Sequence, residues 1–488
     1  MLFAYFPTLN YAQKNFERTY GSSGDDIGNY VLQALDGWYI ITGSTESFST
    51  SSRYDIFLMK TGIKGDTLWI RTYGGANNDY GNCVQQTSDG GYIIAGSTGS
   101  FGTGGLDVYL IKTDSNGNEM WAHTYGSSYD DEGYSVQQTA DGGYIIAVYT
   151  ETSGLDMSLE DFILIKTDSL GKESWTKTYG GSSYDYCWSV QVCHDGGYTA
   201  AGYTNSFGAG KHDAYLVRTD ANGKKLWSKA YGDNRSNNSY CVQQTADKGF
   251  ILAGATVVFF DWPDWDQDVY LIKTDSNGDK MWTVNHGGAG IDNASFVRQT
   301  TDGGYIIAGS TTSFGAGETD IYLIKTDSGG AEQWVQTYGT INYEVAHCVQ
   351  QTADGGYVIV GTTRPSPSGD ADIYLIKTDS MGKLTGIQSE FSHSSPSGYT
   401  LWTNYPNPFN SSTKIMYTLP QYSYIEVHIL DLLGRQVRTL MAEGQFAGTH
   451  QVTWNGLDDA DKRVTSGVYL YSLAAEGYTE TKKLLLLK

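Results

Sequence analysis

The chain has 488 residues, with 60 glycines, 8 prolines and 38 tyrosines, and this composition favours an all-β protein with many turns. Its net charge of −22 argues against nucleic acid as a partner, because phosphate contacts need lysine and arginine. No stretch approaches the 18 apolar residues of a transmembrane helix. Residues 399–488 contain 8 acidic and 8 basic residues, so residues 1–398 carry the whole net charge, which indicates two different modules.

The first segment, residues 1–15, is an apolar lead that begins MLFAYFPTLNYAQ. It lacks the basic start and the full apolar stretch of a signal peptide. Two interpretations stay open, the remnant of a truncated signal peptide and a disordered lead. The five cysteines are too few and too scattered for a disulfide framework, and we expect buried thiols.

Residues 16–382 are built from a repeat. A turn of the type T-x-D-G occurs seven times at intervals of 52 to 55 residues, beginning at Asp36, Asp89, Asp141, Asp195, Asp247, Asp302 and Asp354. Each repeat contains four strand-length runs, A to D, of the types CVQQT, GYIIAGST, DVYLIKT and EMWAHTYG. Four antiparallel strands per repeat predict a seven-bladed β-propeller with strand A nearest the axis.

The ends of the repeat region predict a closed ring. The seventh repeat lacks strand D, whereas the N-terminal FERTYG resembles a strand D with Phe16 in the tryptophan position. The N-terminal strand should therefore complete the last blade and remove an exposed sheet edge. We expect the strand D tryptophans to pack between neighbouring blades: Trp69, Trp121, Trp175, Trp227, Trp282 and Trp334.

The turn between strands C and D looks at first like part of a calcium loop, as in TDSNGNEMW at residues 113–121. However, its third position holds Leu170 and Met381 in two repeats, and neither side chain offers an oxygen to a hard cation. The comparison of the seven repeats therefore predicts that the C–D segments are hairpin turns. No cofactor is expected, and whether a metal is bound stays unknown: calcium is possible, but the turn motifs do not support it.

Two acidic positions recur on the face formed by the D–A and B–C loops. The first residues of strand C are Asp55, Asp107, Asp161, Asp213, Asp268, Asp320 and Asp372. Five residues before the strand A valine stand Asp26, Asp79, Asp131, Asp185, Asn237, Asp292 and Glu344. Because they recur in every blade, we expect them to brace loops through hydrogen bonds; cation binding is the alternative.

Glutamines recur on strand A directly after the valine. They are Gln85, Gln137, Gln191, Gln243 and Gln350, with Arg298 and Leu32 in the other two repeats. The next position also holds glutamine in six of the seven repeats. Hydrogen bonds between blades are the expected role, and amides that line the channel are the alternative.

Blade five departs from the repeat, and there the sequence predicts a ligand site. Its B–C loop, ATVVFFDWPDWDQD, carries Phe259, Phe260, Trp262 and Trp265 beside Asp261, Asp264 and Asp266. Arg235, in the D–A loop leading into this blade, should lie on the same face. Exposed aromatic rings beside carboxylates suit sugar stacking or a protein hot spot. The alternative is a loop that folds over its own blade.

A linker, residues 383–398, precedes a segment with alternating strands and glycine turns that predicts a small Ig-like β-sandwich, residues 399–488. Its motifs NYPNPFN, YIEVHILDLLGRQV, GTHQVTWNGLDDADKRVTSGVYLYSL and KKLLLLK closely resemble the type A C-terminal sorting domain of the bacterial type IX secretion system. The wider fold also resembles a domain of the flagellar hook-capping protein. The resemblance implies type IX machinery as a partner, and a protein that is secreted or on the outer-membrane surface of a Gram-negative bacterium.

No catalytic residues are singled out, because the eight histidines are scattered and no nucleophile elbow, P-loop or HExxH occurs. The expected function is therefore binding or adhesion, with a glycan or a protein as ligand. A polysaccharide-active enzyme, a glycosidase or lyase that uses the acidic face, is one alternative. A structural surface component is the other.

Overall fold

The computed structural model describes residues 15–49, 53–150, 161–261, 264–365, 369–384, 399–401, 404, 407–410, 412–419, 423–445, 448–460, 462–475 and 478–487. The chain divides into two compact units, Met1–Thr385 and Gly386–Lys488. Almost all of the predicted lead and linker therefore lies outside the described residues. No helix in the described part is long and apolar enough to span a membrane.

The described strands of the first unit form seven four-stranded antiparallel sheets, called blades here. The first strand is β1 (Phe16–Tyr20). Blade 1 has β2 (Asp26–Gln33), β3 (Tyr39–Thr45), β4 (Asp55–Thr61) and β5 (Thr67–Tyr73). Blade 2 has β6 (Asp79–Gln86), β7 (Tyr92–Thr98), β8 (Asp107–Thr113) and β9 (Glu119–Tyr125). Blade 3 has β10 (Asp131–Gln138), β11 (Tyr144–Thr150), β12 (Asp161–Thr167) and β13 (Glu173–Thr178).

The remaining blades follow the same order of strands A to D. Blade 4 has β14 (Asp185–Val192), β15 (Tyr198–Thr204), β16 (Asp213–Thr219) and β17 (Lys225–Tyr231). Blade 5 has β18 (Asn237–Gln244), β19 (Phe250–Asp261), β20 (Asp264–Thr274) and β21 (Lys280–His286). Blade 6 has β22 (Asp292–Gln299), β23 (Tyr305–Thr311), β24 (Asp320–Thr326) and β25 (Glu332–Tyr338). Blade 7 has β26 (Tyr343–Gln351), β27 (Tyr357–Arg364) and β28 (Asp372–Thr378), with β1 as its strand D. The all-β propeller fold is confirmed.

The C–D turn is a hairpin turn held by its aspartate. Asp114 Oδ1 accepts hydrogen bonds from the backbone N–H groups of Asn116 and Asn118, both at 2.8 Å, and Gly117 has a φ of 76°. In the next blade Leu170 donates its backbone N–H to the corresponding aspartate at 2.9 Å. The third position therefore supplies only its backbone, which explains why leucine is accepted there.

The strand D tryptophans pack on the following blade, as predicted. The ring of Trp69 lies 6.5 Å from the ring of Tyr92, and a Cβ atom built on Gly117 would lie 2.8 Å from Trp69. The Tyr73 hydroxyl donates to the carbonyl of Gly117 at 2.6 Å. Each outer strand is thus fixed to the neighbouring blade by ring packing and a hydrogen bond.

The N-terminal strand completes blade 7. β1 pairs antiparallel with β28, with Phe16 opposite Lys377 and Tyr20 opposite Ile373. Blade 7 in turn lies beside blade 1, and a hydrogen bond joins them: the backbone N–H of Ala353 donates to Gln33 Oε1 at 2.8 Å. This arrangement pairs the outer edge of β28 and confirms the role predicted for the segment FERTY.

A buried cation in each blade joins strand C to the A–B turn. In blade 2, Lys112 is only 3% exposed, and its Nζ lies 2.9 Å from Asp89 and donates to the Thr113 carbonyl at 2.8 Å. The other six ion pairs are Lys60–Asp36, Lys166–Asp141, Arg218–Asp195, Lys273–Asp247, Lys325–Asp302 and Lys377–Asp354. These pairs explain why an aspartate recurs in the A–B turn.

The second unit is a two-sheet sandwich. One sheet contains β29 (Thr400–Leu401), β30 (Thr413–Leu419) and β33 (Gly448–Trp454). The other contains β31 (Ser423–Leu430), β32 (Gln436–Gln445), β34 (Gly467–Ala475) and β35 (Tyr478–Leu486). Residues from both sheets, among them Ile415, Val427 and the fully buried Trp454, share one core. The predicted β-sandwich is confirmed.

Candidate functional site

The acidic residues that precede the strand A valine are part of the fold. They lie within strand A, which begins earlier than the CVQQT run suggested, and all seven residues of this set are buried. Asp79 accepts hydrogen bonds from the Thr98 and Ser100 hydroxyls and from the Gly75 backbone N–H. It therefore holds the D–A and B–C loops of its own blade together, and the bracing interpretation is confirmed for this set.

The aspartates that open strand C brace the B–C loop in a similar way. Asp213 Oδ2 accepts the backbone N–H groups of Ala209 at 3.0 Å and Gly210 at 2.9 Å. In blade 6, Asp320 Oδ2 accepts the N–H groups of Ala316 and Gly317, both at 3.0 Å. Within the described ranges, no group of three or more histidine, cysteine, aspartate or glutamate residues could hold a metal ion.

The B–C connection of blade 5 was predicted as a loop, and this prediction is wrong. The structure instead extends both strands: β19 continues to Asp261 and β20 begins at Asp264, with Phe260 opposite Trp265 in the register. The run of valine and phenylalanine explains the extension, because β-branched and aromatic residues favour strands. Trp262 lies outside the described residues, and only the backbone is described for Phe259, Phe260, Asp261, Asp264 and Trp265.

The two remaining predicted site residues lie at the base of this hairpin. Val257 donates its backbone N–H to the Ser236 carbonyl at 3.0 Å, so the D–A loop with Arg235 is on the same face, as expected. Arg235 forms an ion pair with Asp233 at 2.6 Å, and both side chains are about half exposed. Asp266 is partly buried, and its carboxylate contributes, after burial, to raising the pKa of Asp268 to about 6.

The recurring glutamines join neighbouring blades. Gln137 Oε1 accepts the backbone N–H of Val192 at 2.8 Å, and Gln243 Oε1 accepts that of Gln299 at 2.6 Å. In the following position, Gln138 Oε1 accepts the backbone N–H of Ser88 in the preceding blade at 2.8 Å. The predicted hydrogen bonds between blades are confirmed.

Strand A of every blade contains a β-bulge at the same place. In blade 1, Gly28 pairs with Gly43 and Tyr30 with Thr42, so Asn29 has no partner in the ladder. The residues left out in this way, called the bulge residues here, are Asn29, Asn82, Tyr134, Trp188, Tyr240, Ser295 and His347. A bulge redirects a side chain and is common beside functional sites.

All seven bulge residues line one cavity of about 370 Å³ on the propeller axis. Other strand A residues complete its wall, including Tyr30, Gln137, Phe296 and Arg298. The volume falls at the lower end of the roughly 300–1,000 Å³ typical of small-molecule sites. The innermost strands therefore build a chamber whose chemistry is set by one residue from each blade.

The bulge residues are aromatic on one side of the cavity and polar on the other. Trp188 of blade 4 lies between Tyr134 of blade 3, at 4.3 Å between ring centroids, and Tyr240 of blade 5, at 6.1 Å. Tyr186 stacks nearly parallel to Trp188 at 6.2 Å. The Trp188 indole N–H is buried and has no hydrogen-bond partner among the described residues. The bulge residues of blades 6, 7, 1 and 2 are Ser295, His347, Asn29 and Asn82.

Burial sets the charges in and around the cavity. It lowers the pKa of His347 to about 4, so this imidazole is neutral at pH 7. It raises the pKa of Glu132, which accepts a hydrogen bond from the Tyr134 hydroxyl at 3.1 Å. It also raises the pKa of the Cys83 thiol to about 11. Of the described residues that line the cavity, Arg298 is the only one charged at pH 7.

Sequence reasoning missed the bulge residues, although the repeat contains a signal for them. Two residues before each strand A valine, the seven repeats hold Asn29, Asn82, Tyr134, Trp188, Tyr240, Ser295 and His347, whereas the valine itself recurs in every blade. This variation within a regular repeat marks positions that the fold does not prescribe. Of the residues that directly follow the valine, which sequence reasoning did consider, Gln137 and Arg298 line the cavity.

Comparison with known proteins supports the fold of the second unit. Residues 409–478 match the family described as the FlgD Ig-like domain, in agreement with the sandwich of the second unit. The regulatory protein FlaEY of Caulobacter vibrioides is 23% identical over 423 residues, which cover 76% of this chain and 41% of FlaEY. The chain thus spans about two fifths of the length of that relative.

Solved structures with related architecture have low sequence identity. The WD40 domain of Neurospora crassa Pan2 gives a TM-score of 0.41 at 12% identity, covering 72% of this chain and 89% of that one. The polysaccharide lyase Uly1 gives a TM-score of 0.44 at 9% identity, covering 74% of this chain and 91% of that one. PorZ is a surface component of the type IX secretion system of Porphyromonas gingivalis. It gives a TM-score of 0.31 at 11% identity, covering 92% of this chain and 64% of that one. With TM-scores below 0.5, these likenesses carry no information about a ligand.

Proposed function

We propose that this chain is an exported surface protein whose propeller binds a saccharide in the axial cavity. The observation that carries the proposal is the ring of seven bulge residues. Among the bulge residues, those of blades 3 to 5 are aromatic, whereas those of the other four blades carry amide, hydroxyl and imidazole groups. Sugars present both surfaces, since their C–H faces stack on aromatic rings and their hydroxyls need donors and acceptors.

The Trp188 indole is the central element of this binding surface. Its ring offers a flat apolar face between Tyr134 and Tyr240, and its buried N–H can be satisfied by a ligand oxygen. A buried donor without a partner costs roughly 1–3 kcal/mol, and a ligand that accepts its hydrogen bond recovers part of that cost. Binding at this tryptophan is therefore favoured by both stacking and hydrogen bonding.

The hairpin of blade 5 extends the same proposal to a second contact surface. Phe259, Phe260, Trp262 and Trp265, with Asp261, Asp264 and Asp266, would contact a longer glycan or a protein partner. Arg235 lies on the same face of the blade, which supports its inclusion.

A glycan array probed with the full-length protein tests the proposal, followed by calorimetric titration of each hit. Trp188→Ala should weaken binding by roughly 30-fold, the equivalent of about 2 kcal/mol for a central aromatic contact. Trp38→Ala is the matched control, because Trp38 is 39% exposed on the A–B turn of blade 1, and it should bind like the wild type. Glycans that bind Trp188→Ala as tightly as the wild type would contradict the cavity as the site. If the protein binds no glycan, a structural surface component is favoured.

A polysaccharide-active enzyme is the second candidate, and Glu132 favours it. Burial raises the pKa of this carboxyl beside the Tyr134 hydroxyl, and a glycosidase or lyase needs such an acid or base near its sugar. Incubating each array hit with the protein and measuring new reducing ends separates the two candidates. Turnover that Glu132→Gln abolishes, with binding retained, would establish the enzyme; hits that stay intact would leave binding as the function.

Residues 399–488 are proposed to direct export through the type IX machinery. The four motifs of this segment and the Ig-like sandwich that they form support this role. In a bacterium with that machinery, a periplasmic reporter fused to residues 399–488 should reach the cell surface or the medium. The same reporter without the segment should remain in the periplasm, and equal distribution of the two would refute the role.

A further inference from the structure

Arg298 differs from the glutamine that most repeats have at its position, and this difference removes a hydrogen bond between blades. In five blades a glutamine stands there, and Gln137 and Gln243 accept a backbone N–H from the next blade. An arginine has no acceptor, so blade 6 cannot form this hydrogen bond through its side chain. The arginine therefore does not serve the contact that the repeat builds at this position.

The surroundings of the guanidinium supply few compensating contacts. Arg298 Nη1 donates to the Val297 carbonyl at 3.1 Å and to the Cys241 sulfur at 3.6 Å, and Nη2 donates to the Tyr30 hydroxyl at 3.4 Å. The guanidinium carbon lies 4.2 Å from the centroid of the Phe296 ring. A guanidinium has five N–H donors, so these contacts leave hydrogen-bonding capacity toward the cavity.

None of the described residues that line the cavity is an anion that could neutralise this charge. Burial raises the pKa of the Tyr30 phenol and of the Cys348 thiol, two groups that act on Arg298, so both are neutral at pH 7. His347 is neutral as well, because burial lowers its pKa. A buried charge is costly unless it is paired. The chain nevertheless keeps a lone cation here, although its net charge is −22.

We propose that the saccharide bound in the axial cavity is anionic, with its acidic group held by Arg298. The planar guanidinium matches a carboxylate or a sulfate in a two-point contact. Arg298 follows the bulge residue Ser295 by three residues, roughly 10 Å along the strand. A sugar that stacks on the aromatic wall can thus direct an acidic substituent to the arginine. This inference rests on the proposed saccharide-binding function.

The test uses matched pairs of probes and the full-length protein. Uronic acid oligosaccharides (galacturonate, glucuronate and mannuronate) are titrated beside their carboxyl-reduced, neutral counterparts, and beside neutral oligosaccharides that carry a sulfate ester. The wild type should bind the acidic member of at least one pair tenfold or more tightly than the neutral member. Preference for the uronic acid or for the sulfate identifies which acidic group is recognised.

Arg298→Gln is the informative variant, because it installs the residue of five other blades. It should bind the acidic and neutral members equally and should raise the Tm, since it removes a partly buried charge that has no anionic partner in the cavity wall and allows the hydrogen bond between blades. Arg298→Lys should retain part of the preference through its charge. A preserved acid preference in Arg298→Gln, or a lowered Tm with unchanged binding, would overturn the inference and assign Arg298 a structural role.

Different results would refute the anionic ligand and the saccharide-binding function. If the wild type binds neutral sugars in a manner that depends on Trp188 and shows no acid preference, only the anionic ligand is refuted. If it binds neither member of any pair, the saccharide-binding function and the role of Arg298 fall together.

Discussion

Removal of the Phe16 side chain should open the propeller ring at one defined place. Phe16 is 4% exposed, its ring lies 6.0 Å from that of Tyr39, and a Cβ atom built on Gly65 would lie 2.7 Å from it. It thus joins blade 7 to blade 1 in the way that Trp69 joins blade 1 to blade 2. Truncation of a buried phenylalanine to alanine costs roughly 3–5 kcal/mol. That loss is a large share of the roughly 5–15 kcal/mol by which a native protein is stable.

Hydrogen exchange of the full-length protein measures this effect where it should occur. In Phe16→Ala, the backbone amides of β28 that face β1, including those near Ile373 and Lys377, should lose protection well before the other blades unfold. Phe16→Trp is the matched control, because six other blades have tryptophan in this position, and it should keep wild-type protection. If Phe16→Ala left β28 fully protected, or if Phe16→Trp were equally damaging, the account of ring closure would be refuted.

Two further predictions concern the turns. Lys248 has a φ of 68°, in a position where the other six A–B turns have glycine. Lys248→Gly should therefore raise the free energy of unfolding by about 0.5 kcal/mol, and Gly303→Lys should lower it by about 1 kcal/mol. Urea midpoints equal to that of the wild type would contradict this. Burial alone would raise the pKa of Asp89, but hydrogen bonds from a threonine hydroxyl and from Lys112 outweigh it and hold the pKa at about 2. Because this value lies below the usual 3.8, its stabilising contribution is present above about pH 4 and is lost as pH falls through about 2. Lys112→Met should therefore show a shallower loss of stability in acid, and an unchanged acid slope would refute the role of the pair.

The propeller could be predicted in detail because its repeats serve as an internal alignment. The recurrence of Asp114 equivalents identified the C–D hairpins, and Phe16 was recognised as a displaced strand D residue because six repeats have tryptophan there. The exposed third position of the turn, occupied by Leu170, distinguished a hairpin from a calcium loop. In each case a local rule of turn or packing chemistry repeats, so the sequence contains the comparison that decides its meaning.

The candidate site could not be predicted in the same way, because its geometry depends on a bulge. An alternating strand places successive side chains on opposite faces, but the bulge at Trp188 shifts this alternation by one residue. The side chains that reach the axis are therefore not those that simple alternation selects. In blade 5 the error was different, since the strand-forming residues before Asp261 were interpreted as an irregular loop because they interrupted the repeat.

The bulge also explains how one fold can carry an asymmetric site. A bulge residue takes no part in the strand ladder, so its exchange leaves the backbone hydrogen bonds of the blade intact. The fold therefore accepts Tyr134, Trp188 and Tyr240 in three adjacent blades and small polar residues such as Asn29 and Ser295 in others. Arg298 lies in blade 6, which follows the aromatic blades 3 to 5 and carries the polar bulge residue Ser295. A ligand that matches this cavity has one apolar face and one polar edge that bears a negative charge, which is the pattern of an acidic sugar.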